Sequence, residues 1–421
     1  MIKRILYTLL IMFPVVASAQ INTDRVMAIG RNALYFEDYV LSIQYFNQVI
    51  NAKPYLSDPY FYRGLAKINL DDFQGAESDC SEAIERNPFV VSAYQVRGLA
   101  RIQQNNFAGA IEDYTKALEF DPENIGVWHN MALCRIRQED YKGAKNDLDK
   151  LIAISPRYTK AYLMRGEVDL KQKDTLAAEK DFGKAIEIDR YDADTWASRA
   201  ILRLQQQRYK DAEADFDHAI RLSTRNSGVY INRALARYHQ NNLRGAMSDY
   251  DIALDIDPNN FIGHYNRGLL RAQVGDDNRA IQDFNFVIEM EPDNMMAIFN
   301  RGLLLDQTGD YKGAIKDYST VINEYPNFLL GYQYRAQARR KIGDVKGADA
   351  DEFKVLKAQL DKQNGVDPNK QTADNTENNK TRKKSDKNMN NYRKIVVADN
   401  EEGEEKYKSD YRGRVQDKNV N

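Results

Sequence analysis

The sequence predicts an all-α chain, a solenoid of about ten helix–turn–helix units stacked so that each covers its neighbour's apolar face. Three observations carry this. Prolines stand at 54, 88, 122, 156, 258, 292 and 326, every gap being 34 residues or a multiple of it. The phrase Asn-Arg-Gly-Leu-Leu occurs at 266–270 and again at 300–304, with Asn-Arg-Ala-Leu-Ala another 34 residues earlier at 232–236. The composition is that of a helical chain, 43% hydrophobic and 29% charged, with only 10 prolines in 421 residues. A period of this length marks one supersecondary unit repeated.

With the prolines set at slot 32, each unit reads in order. Slot 4 holds Trp128 and Trp196. Slot 8 is small in every copy, as at Gly30, Gly64, Gly98, Ala132, Gly166, Ala200, Ala234, Gly268, Gly302 and Ala336. These lie on a first helix of about thirteen residues, ended by a short turn such as Gln-Asn-Asn at 104–106. On the second helix, slot 20 is Ser42 and thereafter alanine, from Ala76 to Ala348. Slot 24 is mostly aromatic, at Phe46, Tyr114, Phe182, Phe216, Tyr250, Phe284 and Tyr318. Small residues at 8 and 20 let the paired helices approach, larger ones fill the space between them, and proline closes the second helix. One hairpin cannot bury its own apolar faces, so the hairpins stack. The end copies depart from the pattern, with Ile29 and Tyr45 in the first and Glu352 at slot 24 of the tenth, as water-facing ends require.

These slots resemble the tetratricopeptide repeat family, in ten copies spanning about 23–362. The resemblance implies a right-handed superhelical solenoid whose concave face is lined by the first helices, chiefly at slots 2, 5, 6, 9, 12 and 13.

One slot departs from that family. Slot 7, where it prefers leucine, holds Arg63, Arg97, Arg165, Arg199, Arg233, Arg267, Arg301 and Arg335. Slot 23 holds Asp79, Asp113, Asp147, Asp181, Asp215, Asp249, Asp283, Asp317 and Asp351. Slot 7 is on the first helix and slot 23 on the second, both beside core slots. The expected result is an Arg–Asp clamp in eight repeats, within the repeat or across to a neighbour, since a guanidinium fork meets a carboxylate with two bonds. Met131 faces Asp147 in the fourth repeat, which leaves Arg135, one turn on, as its partner. Carboxylates repeated nine times along a rod are structural rather than catalytic.

The bulk numbers and motifs exclude several classes. A net charge of −2 argues against nucleic acid. Phosphate loops, dinucleotide fingerprints, His-Glu-x-x-His and Gly-x-Ser-x-Gly are missing from the sequence, and the four histidines have no ligand spacing. Asp255-Ile-Asp257-Pro-Asn-Asn lacks the glycine and distal glutamate of a calcium loop. No catalytic residue, metal or cofactor is expected. Cys80 and Cys134 sit in different slots of different repeats and are expected as buried free thiols.

Three segments follow: 1–19, 20–362 and 363–421. Lys3 and Arg4, the apolar run Ile5–Val16 and Ala17-Ser18-Ala19 make a secretory signal peptide cleaved after Ala19. Its core is short of the roughly 20 residues a spanning helix needs. After cleavage no transmembrane segment is expected, although peripheral association with a membrane stays open. Residues 363–421 lose the period and have the composition of a disordered tail. One less polar island, Tyr392–Ala398 with Tyr407–Val415, suits pairing with a partner's sheet edge or docking in the groove.

The groove slots name the binding candidates. Slot 6 carries Asn130, Asn232, Asn266 and Asn300; slot 5 adds Phe61, His129, Ile231, Tyr265 and Phe299. An amide both donates and accepts, so a ladder of asparagines holds the main chain of an extended peptide whatever its sequence. The plainer reading, asparagine as a tolerated surface residue of such repeats, stands beside it. The favoured function is a non-enzymatic scaffold that binds protein or peptide in this groove, in the periplasm or at the outer membrane of a Gram-negative bacterium. The alternatives are an accessory part of an envelope enzyme and a glycan binder.

Overall fold

A computed structural model describes residues 22–222, 225–364, 389 and 392–395. Among them are twenty helices and no strand. They fall into two compact units divided after Ile188.

The first unit contains α1 Thr23–Tyr35, α2 Tyr39–Ala52, α3 Asp58–Asn69, α4 Phe73–Arg86, α5 Val91–Gln103, α6 Phe107–Phe120, α7 Ile125–Arg137, α8 Tyr141–Ile154, α9 Thr159–Lys171 and α10 Thr175–Ile188. The second contains α11 Ala193–Gln205, α12 Tyr209–Arg221, α13 Ser227–His239, α14 Leu243–Ile256, α15 Phe261–Gln273, α16 Asp277–Met290, α17 Met295–Thr308, α18 Tyr311–Glu324, α19 Leu329–Lys341 and α20 Val345–Gln363. Within each unit every odd-numbered helix packs on the even-numbered helix that follows it, and each hairpin on the next. The repeat frame therefore holds for all ten copies, and the last helix ends one residue beyond the expected boundary.

The turn inside each hairpin shows why the period is so regular. Its second position is left-handed in every copy: Glu37, Asp71, Asn105, Glu139, Lys173, Gln207 and Asn241, then Gly275, Gly309 and Gly343. The next residue caps the second helix. Asp38, Asp72, Asn106, Asp140, Asn242, Asp310 and Asp344 each accept from the backbone N–H three residues on. A left-handed residue followed by an Asx cap reverses the chain within three residues.

Packing follows the slots. A Cβ on Gly98 would stand 2.7 Å from the Tyr114 ring, and one on Gly166 2.5 Å from the Phe182 ring. In several repeats the slot-4 side chain bonds back to the slot-32 carbonyl just before its own helix. Trp128 Nε1 donates to the Pro122 carbonyl at 2.8 Å, Tyr162 Oη to that of Pro156 at 3.1 Å, and Trp196 Nε1 to that of Arg190 at 3.0 Å. At the ends, Ile29 is exposed and Glu352 points to solvent, held by Arg340 at 2.6 Å. Cys80 and Cys134 are free and buried, and burial pushes the Cys134 thiol up to about 12.

Candidate functional site

The arginines at slot 7 form the expected clamp in all eight repeats. Each presents Nε and Nη2 to the two carboxylate oxygens of the aspartate sixteen residues on, at 2.5–3.2 Å, from Arg63–Asp79 to Arg335–Asp351. Clamping within the repeat and across to a neighbour both occur. In seven of the eight, all but Arg199, the remaining nitrogen, Nη1, reaches back sixteen residues to slot 25 of the preceding second helix. Its acceptors are Asn47, Ser81, Asp149, Asp217, Asp251, Asn285 and Ser319, at 2.6–3.0 Å. One guanidinium thus joins three helices.

A second cation meets most of these aspartates, and the slot-7 pattern gave no hint of it. Lys67, Arg101, Arg203, Arg237, Arg271 and Arg339, all at slot 11, approach the same carboxylates at 2.7–3.0 Å. Their recurrence one turn after slot 7 was the available signal. Asp283 also receives His264 Nδ1 at 3.0 Å. Burial raises the Asp283 carboxyl, but the His264 and Arg267 hydrogen bonds outweigh it and hold the group below the usual carboxylate range. Among the described residues Asp147 meets Arg135 alone, at 2.7 Å, and burial pushes its carboxyl up to about 6.

The candidate groove residues lie in both units. In the first, Phe61 on α3 joins a core cluster with Tyr60 and Leu65, and Asn130 on α7 is buried. His129, also on α7, places Nδ1 3.3 Å from Tyr158 Oη. In the second unit, Asn232, Asn266 and Asn300 occupy one position on α13, α15 and α17, and all three are buried. The reading of these asparagines as tolerated surface residues does not fit that burial.

The tail segment meets this row. Tyr265 Oη on α15 donates to the Tyr392 carbonyl at 2.7 Å, and Asn300 Nδ2 on α17 donates to the same oxygen at 2.5 Å. Phe299 meets the Tyr392 ring edge-on, with centroids 4.8 Å apart. Met389 is buried in the same cluster, and Ile395 packs on the cluster containing Ala200, Leu204 and Phe216. Of the two uses foreseen for the island, docking is the one found for Tyr392–Ile395, in a turn rather than a strand. Residues 396–398 and 407–415, and the leader at 1–19, lie outside the described residues.

Family profiles described as tetratricopeptide repeat or TPR repeat match residues 98–134, 125–158, 159–192, 198–261 and 265–327, more than half of the chain between them. This chain is a tetratricopeptide repeat protein. Solved structures of other such repeats resemble it in part. A tetratricopeptide repeat protein from Parabacteroides merdae is 21% identical, with 59% of this chain and 98% of that one covered and a TM-score of 0.46. The C-terminal part of a repeat protein from Cytophaga hutchinsonii is 18% identical, covering 56% of this chain and 97% of its own, at 0.47. YrrB, described as a TPR protein with an unusual peptide-binding site, is 20% identical, covering 44% and 95%, at 0.37. No curated protein matches. Among the described residues of this tetratricopeptide repeat protein, no group of side chains is arranged to hold a metal ion, and no helix is long and apolar enough to cross a membrane.

Proposed function

We propose that this repeat protein is a non-enzymatic scaffold of a bacterial envelope, holding protein or peptide segments along the first helices of its second unit. A tetratricopeptide array is a protein–protein interaction module; the location and the groove are the parts proposed. The observation that carries the groove is the pair of bonds from Tyr265 and Asn300 to one main-chain carbonyl, that of Tyr392. Side chains from consecutive repeats that grip a backbone oxygen suit any peptide threaded past them, with neighbouring apolar slots supplying preference. The leader pattern of Lys3–Ala19 supports export.

The test is affinity capture from envelope extract with the full chain as bait, beside its Asn232→Ala, Asn266→Ala, Asn300→Ala variant of matched helicity. A partner retained by the first and lost by the second is the expected result. Equal capture by both would move binding off this face.

A further inference from the structure

The chain itself displays what kind of segment the groove takes. The Tyr392 carbonyl is held twice, by Tyr265 and Asn300, and its ring is nine-tenths buried against Phe299. Three residues earlier, Met389 is buried in the cluster that contains Phe299, Phe328 and Tyr318. Three residues later, Ile395 leaves that cluster for the one around Leu204 and Phe216, so the segment runs from later repeats toward earlier ones. The Tyr392 amide donates to the Met389 carbonyl at 3.2 Å, a turn that places both side chains inward. Arg393 and Lys394 are exposed, and the Arg393 guanidinium rests 5.3 Å from the Tyr392 ring centroid. Apolar groups at intervals of three point in and cations point out, so this short stretch shows the complementarity of a ligand in its site.

We infer that the groove of α13, α15 and α17 recognises short protein segments of the form apolar-x-x-Tyr-x-x-aliphatic, and that Met389 and Tyr392–Ile395 are its resident occupant, which an incoming segment must displace. The inference rests on the groove reading above and adds the class of ligand. The two levels of recognition differ in kind. Capture of a carbonyl is blind to side chains, whereas the edge-on Phe299 contact and the flanking apolar clusters select for a ring at the centre. The occupant belongs to the same chain as the groove, so it competes within the molecule. A linker that spans its gap presents a segment at an effective concentration on the order of millimolar. Apparent affinity for an outside segment falls by the fraction of grooves left open.

The test is fluorescence anisotropy with a labelled synthetic peptide of residues 386–398. It is titrated into the full chain, into its Met389→Ala, Tyr392→Ala variant, and into that variant with Tyr265→Phe and Asn300→Ala added. Far-UV circular dichroism confirms matched helicity, and a peptide with serine for tyrosine serves as the fourth arm. The expected pattern is binding about tenfold tighter to the Met389→Ala, Tyr392→Ala chain than to the unaltered chain. Adding the two groove changes loses most of that gain, and the serine peptide does not bind. Equal affinity for the first two chains overturns resident occupancy. No binding to the Met389→Ala, Tyr392→Ala chain, or equal binding of the serine peptide, overturns the ligand class. An envelope partner captured through the asparagines yet not displaced by the tyrosine peptide would sink the class while leaving the groove reading intact.

Discussion

The repeats before Ile188 and those after Asp189 share a frame and part company at slot 6. In the first unit this slot reads Tyr62, Val96, Asn130 and Met164 after the opening copy; in the second it reads Ser198, Asn232, Asn266, Asn300 and Tyr334. The clamp is indifferent to the difference, for Arg165 grips Asp181 in one unit as Arg301 grips Asp317 in the other. The described tail residues meet the unit whose slot 6 carries the three amides. Frame and recognition therefore use different slots of the same helices, and one can change while the other stays.

The largest expected effect tests whether the frame is the same in both units. In Arg301–Asp317 and Arg165–Asp181 the aspartate has no slot-11 cation, since Leu305 and Asp169 stand there, but Arg165 also holds Asp149 where Arg301 holds the neutral Asn285. Asp317→Ala strands a half-buried guanidinium, which typically costs about 3–5 kcal/mol. Adding Arg301→Leu should recover part of that loss, while Asp181→Ala should cost less, because Arg165 keeps the Asp149 carboxylate. Urea unfolding followed by circular dichroism reads it; a double variant at Asp317 and Arg301 no more stable than the single would refute the clamp, and an Asp181→Ala loss as large as that of Asp317→Ala would mean that Asp149 carries none of it.

A middle-sized effect comes from the incomplete copy. Asp147 sits at about 6 against an ordinary 3.8, so the folded state holds a proton that the unfolded chain releases sooner. Its contribution is complete below about pH 4 and lost as pH rises through 6, a loss of roughly 2 kcal/mol after discounting for partial solvent access. Met131→Arg supplies the missing fork, should lower the Asp147 carboxyl and should flatten stability between pH 4 and 6. An unchanged pH slope would show that Arg135 alone already sets this site.

The smallest effect sharpens the contrast at slot 6. In the tail-altered chain, Asn300→Ala should weaken the labelled peptide several-fold, while Asn130→Ala in the first unit should leave it within about twofold. Comparable losses would mean that both units bind.

Most of the frame was legible because a 34-residue period exposes it ten times over, so proline, glycine, alanine and the Arg–Asp spacing identify themselves by position. What stayed hidden depended on lengths of reach. That Arg267 also touches Asp251 behind it, or that Arg271 shares Asp283, follows from how far a guanidinium extends between stacked hairpins. The island at Tyr392 announced itself by composition, but its seat beside Phe299 joins residues about ninety apart, and no periodic pattern carries that information. Burial of Asn232, Asn266 and Asn300 was equally unreadable, since an amide is written the same way inside a groove or on a surface.

The three-helix arginine has one more consequence. Seven of the eight reach sixteen positions forward to an aspartate and sixteen back to a polar side chain. A deletion of one whole 34-residue module leaves most of the surviving arginines an equivalent pair of acceptors, Gly183 being the exception at slot 25. Loss of residues 233–266, for instance, would offer Arg267 the Asp217 carboxylate in place of Asp251. Such a protein can be shortened or lengthened by duplication and loss with most of these clamps re-formed. Length becomes a heritable dial, set in steps of one hairpin, while a deletion of any other size breaks the register at once.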